Sequence, residues 1–421
     1  MQVWRLIGFY TCDVLVVGAG PAGSIAASIV AKKGFKTILC EEHKMVGRPC
    51  HCTGKLSVHA FREFNLPKDS ILNSVKAAKL YSPGGFKLDI RKDSVDSYII
   101  DRELFDSRLS DLACSRGADL LLRTRVYDVE REFETHVILK ARKDGSPVRL
   151  RSRLIIDAEG ATPILPGKFG LRPVSDLLLG VQYEISGIQF ESPDSVELYF
   201  NRIFAPGFFA WIVPLSECMA RVGLCVRRSM ATSPINQYID RFIRMLIDRG
   251  RLRDFKVEKV LAGVEPAGPY ISPSYSDNIM VVGDSAGHVK PTSGGGIYFG
   301  LKAAKLAGET AVKCLDKMNV SKWQLRVYED EWVRAFGREL NVTFLLRRIL
   351  NSLTDDEVDR LIRKMSEWDI KSVVERYGDT AYQSKVIFPL IPRFLKRSLE
   401  KLDDISLLAR IAAEGFLALI T

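Results

Sequence analysis

No run of about 18 uncharged apolar residues occurs in this chain, so nothing in it is built to span a bilayer. The N-terminal Met1-Gln-Val-Trp-Arg5 lacks a signal-peptide pattern, and the first strand follows almost at once. The eight cysteines keep no framework spacing apart from Cys50-x-Cys52. That argues against a disulfide-stapled secreted fold and for a reducing, cytosolic setting. Lysine- or arginine-rich blocks are missing, as is any nucleic-acid motif. The formal net charge of +10 therefore points to an anionic membrane face or an acidic ligand, or to nothing more than a generally basic background. What remains is ordinary for a globular protein: 47% hydrophobic, 27% charged, and at 421 residues long enough for two or three structural units.

The chain is organised around Asp13-Val-Leu-Val-Val-Gly-Ala-Gly-Pro-Ala-Gly23. Val14 to Val17 read as a buried parallel strand. Gly18, Gly20 and Gly23 form G-x-G-x-x-G, and Pro21, Ala22 and the small residues after Gly23 begin a helix. Each glycine has its own reason. Gly18 allows the tight turn, Gly20 lets backbone approach a pyrophosphate, and Gly23 lets helix and strand pack closely. The pyrophosphate would rest on the helix N-terminus, where free N–H groups and the dipole favour an anion. A second strand, Lys36 to Cys40, leads to Glu41, about 20 positions beyond the first glycine, as expected for a carboxylate that accepts ribose hydroxyls. A carboxylate suits a free ribose and repels a 2′-phosphate. The pattern predicts an ADP-containing cofactor, and it occurs once.

Met45 to Gly54 is a loop by its glycine and proline content, and it holds Cys50, His51 and Cys52 together. Three uses compete: a metal site short of two ligands, a strained C-x-C disulfide, or a thiol placed at a cofactor or substrate. Ser82-Pro-Gly-Gly85 signals a hairpin. Tyr98 to Asp106 leads into an amphipathic helix, Leu104 to Arg116, where Arg102 could hold a phosphate or stand at the surface. Residues 120–156 alternate as strands, with a turn at Lys143-Asp-Gly-Ser146, and close on Leu154-Ile-Ile-Asp-Ala-Glu-Gly-Ala161. Residues 171–265 read as an antiparallel sheet with an apolar face. Within them, Ala205-Pro-Gly-Phe-Phe-Ala-Trp-Ile-Val-Pro214 offers Phe209 and Trp211 either as core or as the roof of an apolar pocket.

A second strong motif is Asp277 to Ile297. An apolar strand ends at Gly283-Asp284, and Gly294, Gly295 and Gly296 precede a helix of small residues. Asp284 could accept from a sugar-alcohol chain. The glycines would present backbone N–H groups to a partly anionic ring edge, at an entropic cost that a purely structural turn does not require. Beyond residue 320 the pattern is helical and charged. Ile387 to Arg397 and Leu407 to Ile420 are candidates for a membrane-lying surface or for packing on the body.

Taken together these motifs resemble the geranylgeranyl reductase family of flavoproteins, within the group sharing the para-hydroxybenzoate-hydroxylase-type fold. Four stretches carry the resemblance over residues 13 to about 310: Gly18 to Gly23 with Glu41, Pro49 to Gly54, Ala205 to Pro214, and Gly283 to Gly296. The resemblance implies FAD. Gly18, Gly20 and Gly23 would face the pyrophosphate and Glu41 the adenosine ribose. Arg102, Gly283 and Asp284 would hold the phosphate and ribityl side, and Gly294 to Gly296 the pyrimidine edge of the isoalloxazine. A loop thiol, Cys50 or Cys52, would lie near the flavin as a catalytic residue, and such a thiol or a flavin-bound water is a candidate for the acid that protonates the alkene. The family's Pro-Gly-Gly-Tyr-Ala-Trp-Val-Phe-Pro reads here with Phe208, Phe209 and Val213, so a tyrosine hydroxyl is absent. Glu159 and Ser285 replace an aspartate and an alanine.

The expected fold is α/β (α+β). It has a Rossmann-like FAD-binding domain over residues 1–170 and 269–320, an interleaved antiparallel-sheet lipid domain over 171–268, and a C-terminal helical region over 321–421. The implied activity is FAD-dependent reduction of isolated C=C bonds in geranylgeranyl chains of an ether lipid, digeranylgeranylglycerophospholipid being favoured. Alternatives are an FAD monooxygenase or halogenase acting on an apolar substrate, or a flavin-less prenyl-lipid escort. The partners expected are the isoprenoid lipid and a donor, reduced ferredoxin or NAD(P)H. No nucleic acid and no metal are expected. The location would be cytoplasmic, with peripheral contact to the inner membrane face.

Overall fold

The computed structural model describes residues 8–132, 136–367 and 370–390. The apolar Leu407 to Ile420 segment, and Ile387 to Arg397 from residue 391 on, lie outside them. Among the described residues no helix is long and apolar enough to cross a membrane.

The first sheet is assembled from distant parts of the chain. Its order is Tyr275–Ser276, Ile279–Val281, Ser146–Asp157, Gly8–Val17, Thr37–Cys40 and Ala118–Leu121. From Ile279–Val281 to Ala118–Leu121 neighbours run parallel. Leu15, Ile38 and Ile155 sit side by side, as two-sided burial of a parallel sheet requires. Helix Pro21–Lys32 packs on this sheet with helices Arg102–Ser115 and Ile297–Asp316. Gly308 of the last lies against Ile29, so small residues on both helices allow the close approach. A long hairpin, Thr124–Glu132 with His136–Lys143, is stitched antiparallel to Ser146–Asp157. The expected turn at Lys143 to Ser146 forms, with Asp144 and Gly145 both left-handed.

The second sheet has seven strands, ordered Lys256–Pro266, Leu177–Ser186, Met219–Arg227, Ala210–Pro214, Ser195–Tyr199, Ala77–Tyr81 and Lys87–Arg91. It is antiparallel except where Ser195–Tyr199 runs parallel to Ala77–Tyr81. Two of its strands thus come from well before residue 171, joined by the expected turn at Ser82 to Gly85, where the Gly85 N–H donates to Ser82. Helix Ile235–Asp248 buries Tyr238, Ile239, Phe242 and Leu246 against one face. The opposite face turns toward the first sheet. A three-stranded sheet, Lys55–Ser57, Ser97–Ile100 and Ile71–Val75, sits between them. After residue 320, helices Lys322–Trp332, Arg338–Ser352, Asp355–Glu367 and Ile370–Tyr377 wrap the body.

Candidate active site

The Gly8–Val17 strand ends where Gly18 turns with φ of 100°. A Cβ on Gly18 would sit 2.1 Å from the Ala158 carbonyl oxygen, and one on Gly23 would sit 1.8 Å from the Gly18 oxygen. Both positions are therefore closed to any other residue. Gly20 has no heavy atom within 4 Å of its Cβ position, so its face is open for a ligand. Pro21 opens the helix. Glu41 accepts from the Ala19 N–H at 3.1 Å and from the His43 N–H at 3.0 Å, with the His43 ring at 2.6 Å. The carboxylate is thereby fixed beside the glycine turn. His43 is a partner that the spacing of the motif did not reveal.

The Gly283-Asp284 turn is brought against this loop: a Cβ on Gly283 would lie 3.2 Å from Ala22. The substituted Ser285 has a clear use. Its hydroxyl donates to the buried Asp157 at 2.6 Å, and Glu159 N–H donates to the other oxygen at 3.0 Å. Glu159 in turn accepts from the Ile164 and Leu165 N–H groups. The two departures from the family pattern thus form one network that clips the turn to the sheet.

Gly294 to Gly296 lead into helix Ile297–Asp316, with Gly296 as its N-cap. Two buried cations that the sequence reading passed over hold this loop. Arg347 donates to the Pro291 carbonyl at 2.9 Å, to Thr292 at 2.6 Å and to Gly207 at 3.4 Å, and its guanidinium lies 4.5 Å from the Phe208 ring centroid. Burial lowers its pKa to about 9. Lys290 donates to the carbonyls of Thr380 and Ala381, and burial lowers it to about 8. His288, on the same motif, is buried between Trp332 and Phe336, and neither ring nitrogen has a partner among the described residues. Burial takes it down to about 3, so it is neutral.

The cysteine loop reaches this centre from the side. Arg221 donates to the carbonyls of Thr53 at 2.8 Å and Ile100 at 3.1 Å while pairing with Glu184 at 2.9 Å. One guanidinium therefore ties the loop, the strand entering Arg102, and the second sheet together. Cys50 is buried with Sγ directed at the Cys52 carbonyl, and Cys52 Sγ accepts from the Gly54 N–H at 3.3 Å. Both are free thiols. Burial raises the Cys50 pKa, and Arg102 opposes the rise. Arg102, at the first position of its helix, forms a two-pronged pair with Asp106 at 2.9 and 2.8 Å. Burial works against its charge, but Asp106 and the loop thiols hold its pKa well above the ordinary value. Asp284 lies within its field; burial raises that carboxyl and Arg102 opposes the rise.

The second sheet meets the loop through glycine notches. Gly180 and Gly263 are directly paired, and Gly223 pairs with Gln182. A Cβ on Gly263 would sit 2.7 Å from the His51 Cβ, and one on Gly223 would sit 2.8 Å from the Trp211 indole. The Trp211 N–H and the Thr53 hydroxyl both donate to the Gln182 carbonyl oxygen at 3.0 Å. The Gln182 side-chain NH2 is buried and has no partner among the described residues. Phe208 and Phe209 stack at 4.3 Å, and Phe209 meets Trp211 edge-on at 6.1 Å. With Leu178, Val196 and Val213 they form an apolar wall. Phe209 takes the place of the family tyrosine within this cluster, where a hydroxyl would need a partner. All the site residues expected from sequence thus converge on one region. Glu265, Gln182, Arg221 and Arg347 join them from positions whose local sequence carries no signal.

The geometry fits a dinucleotide flavin: an open glycine turn at a helix start, a fixed carboxylate beside it, and a partly exposed Asp284 with Gly296 against it. A fold and site of this kind define an FAD-binding oxidoreductase. Residues 13–166 match the FAD dependent oxidoreductase family, and residues 176–264 match the geranylgeranyl reductase catalytic domain. The chain is 32% identical over 375 residues to a digeranylgeranylglycerophospholipid reductase of Methanocaldococcus jannaschii, covering 86% of this chain and 94% of the relative. Digeranylgeranylglycerophospholipid reductase 2 of Methanothermobacter thermautotrophicus is also 32% identical, with 86% and 93% covered. The chain belongs to the geranylgeranyl reductase family. A geranylgeranyl bacteriochlorophyll reductase-like protein from Thermoplasma acidophilum shares its structure with a TM-score of 0.80 at 25% identity, covering 93% of this chain and 100% of that one. A flavin-dependent brominase shares the fold at 16% identity with a TM-score of 0.69, covering 92% and 100%.

Proposed function

We propose that this protein hydrogenates isolated C=C bonds of geranylgeranyl chains on an isoprenoid ether lipid of the digeranylgeranylglycerophospholipid type. The observation that carries this reading is the junction at Gln182. There the apolar wall of Phe209 and Trp211 and the cysteine loop share one carbonyl oxygen. An apolar chain lying along that wall would pass the loop thiols and the Gly294 to Gly296 turn.

FAD, when reduced, supplies a hydride to one alkene carbon, the step that protein side chains cannot perform. The chain binds and orients it. In this reading Gly18, Gly20 and Gly23 take the pyrophosphate, with Pro21 and Ala22 at the helix start, and Glu41 takes the ribose. Arg102, Gly283 and Asp284 take the phosphate and ribityl chain, and Gly294, Gly295 and Gly296 the pyrimidine edge. Arg347 and Lys290 keep that last loop in place. Phe209 and Trp211 exclude water from the alkene, and Cys50 and Cys52 form the wall beside it. The donor is reduced ferredoxin or NAD(P)H. The excess of basic residues favours a cytoplasmic protein working peripherally at a membrane face rich in lipid phosphate.

The test is anaerobic. The flavin is reduced with dithionite, geranylgeranyl lipid is added, and the visible spectrum and lipid mass are followed. Reoxidation with hydrogens gained in pairs supports the reading; a flavin that stays reduced until air enters refutes it in favour of oxygen chemistry. Cys50→Ala and Cys52→Ala are assayed separately, and full turnover in both with FAD bound removes the thiols from the reaction.

A further inference from the structure

Two carboxyls at the centre of this site, Glu265 and Asp284, make no side-chain hydrogen bond among the described residues, and only Asp284 stands on a turn read as holding the cofactor. Glu265 stands near the end of the Lys256–Pro266 strand, paired with Leu178. Its carboxyl points across to the glycine loop. A Cβ on Gly294 would lie 2.6 and 2.8 Å from its two oxygens, so this glycine leaves just the room that the carboxyl occupies. Among the described residues no hydrogen bond is made to either oxygen, although Glu265 is only partly exposed. Every other acidic group at the centre is spoken for or placed differently. Asp106 is bound to Arg102, and Glu184 to Arg221. Asp284, whose carboxyl likewise makes no hydrogen bond among the described residues, lies against Gly296 on the turn read as the support of the ribityl chain, where it would be engaged by the cofactor. Of the thiols, Cys50 Sγ is directed at the Cys52 carbonyl, and Cys52 Sγ accepts from the Gly54 N–H.

We propose that Glu265 is the acid that protonates the substrate double bond, on the carbon that does not receive the hydride. This rests on the reductase reading above. An isolated alkene is a poor hydride acceptor, so a proton has to arrive with the hydride or before it. The Glu265 O–H bond breaks, and the alkene π pair forms the new C–H bond. The neighbouring carbon, left electron-poor, takes the hydride supplied by reduced FAD. The alkene gains two hydrogens and two electrons, and Glu265 remains as a carboxylate to be reprotonated from water.

The surroundings hold the acid form ready. Burial raises this carboxyl well above the usual carboxylate range, the charges of Asp284 and Cys52 add to the rise, and Arg102 opposes it. Cys225, two strands across the sheet, also lies within its field, and burial keeps that thiol neutral. A carboxylic acid with no competing hydrogen bond among the described residues, set against the loop read as the flavin's pyrimidine support, is placed to donate inward.

The experiment compares wild type with Glu265→Gln and Glu265→Asp as FAD-loaded proteins, alongside infrared spectra of the flavin-free forms. A protonated-carboxyl absorption at neutral pH, present in wild type and missing in Glu265→Gln, is expected. Glu265→Gln should keep FAD and its melting temperature yet lose anaerobic flavin reoxidation by lipid at least about 100-fold, the lower end for a positioned general acid. Glu265→Asp should keep a measurable rate with a shifted pH profile. A wild-type rate in Glu265→Gln, or no such carboxyl absorption, overturns the proposal. If Glu265→Gln releases its FAD, an unshifted pH profile in Glu265→Asp overturns it. A wild-type protein that never reduces the lipid sinks the reductase reading itself, which a competent wild type beside an active Glu265→Gln does not.

Discussion

Replacing Gly263 by alanine tests how the cysteine loop is seated on the sheet. Gly263 lies in regular strand backbone, so a side chain there costs no left-handed strain. The obstacle is contact alone: the new Cβ would stand 2.7 Å from the His51 Cβ. Carbon atoms prefer roughly 3.5–4.0 Å, so one side has to retreat by about 1 Å. The sheet is held by its ladder to Leu177–Ser186, whereas the loop is held by Arg221 and by Thr53 on Gln182. The loop should give way. Overpacking of this kind costs about 1–3 kcal/mol. Gly263→Ala should therefore melt lower and turn over more slowly, because Cys50 and Cys52 move with His51. His51→Gly removes the obstructing atom, so the double variant should recover about 1–2 kcal/mol relative to the sum of the single changes. Thermal melts of the four proteins, with FAD bound throughout, measure that coupling. Additive effects, or a Gly263→Ala protein as stable and active as wild type, would refute the notch as the seat of the loop.

Two further predictions concern the buried cation and the buried histidine. Arg347→Met keeps volume but strands the carbonyls of Pro291 and Thr292; with about 1–3 kcal/mol per unsatisfied buried group, the free energy of unfolding should fall by about 2–6 kcal/mol. The glycine loop should also loosen, seen as a lower flavin-to-protein ratio after gel filtration; unchanged melting and flavin content would contradict it. His288 is neutral in the fold, with burial taking it to about 3 from an ordinary 6.5. Between those values the unfolded chain binds a proton that the folded chain refuses. This contribution to stability is complete above pH 6.5 and is lost as pH falls, by up to about 1.4 kcal/mol per pH unit. Denaturant melts from pH 7 to pH 4 should show a shallower decline in His288→Phe than in wild type; parallel curves would refute it.

Much of the cofactor site was legible because its signals are local. A strand, a turn and a helix start succeed one another within Asp13 to Gly23, and the reasons for Gly18 and Gly23 are contacts with backbone a few residues away or on the adjoining strand. The same holds for Gly283-Asp284 and for the glycines before Ile297. The Phe209 and Trp211 stretch was legible as apolar, and its hydrogen bond to Gln182 was not, because the partner lies 29 residues away on another strand. Arg221 and Glu265 looked like ordinary polar positions on alternating strands. Their meaning depends on which face turns toward the first sheet, which single-strand periodicity leaves undefined.

The sequence alone marked the glycine turn at a helix start, the acidic residue beyond it and the order of the four motifs, since each is written within one short stretch where backbone sterics and residue type suffice. Only the tertiary structure decided how those stretches meet. It placed Gly223 and Gly263 on strands of one sheet, so that Trp211 and His51 could sink into them. It carried Arg347 from a charged helix to carbonyls some 55 residues earlier. It also left Glu265 at the centre without a hydrogen-bond partner among the described residues. Such contacts join residues far apart in the chain, and whether a charged side chain ends in water or against the site is fixed by the packing of whole sheets, which no local pattern contains.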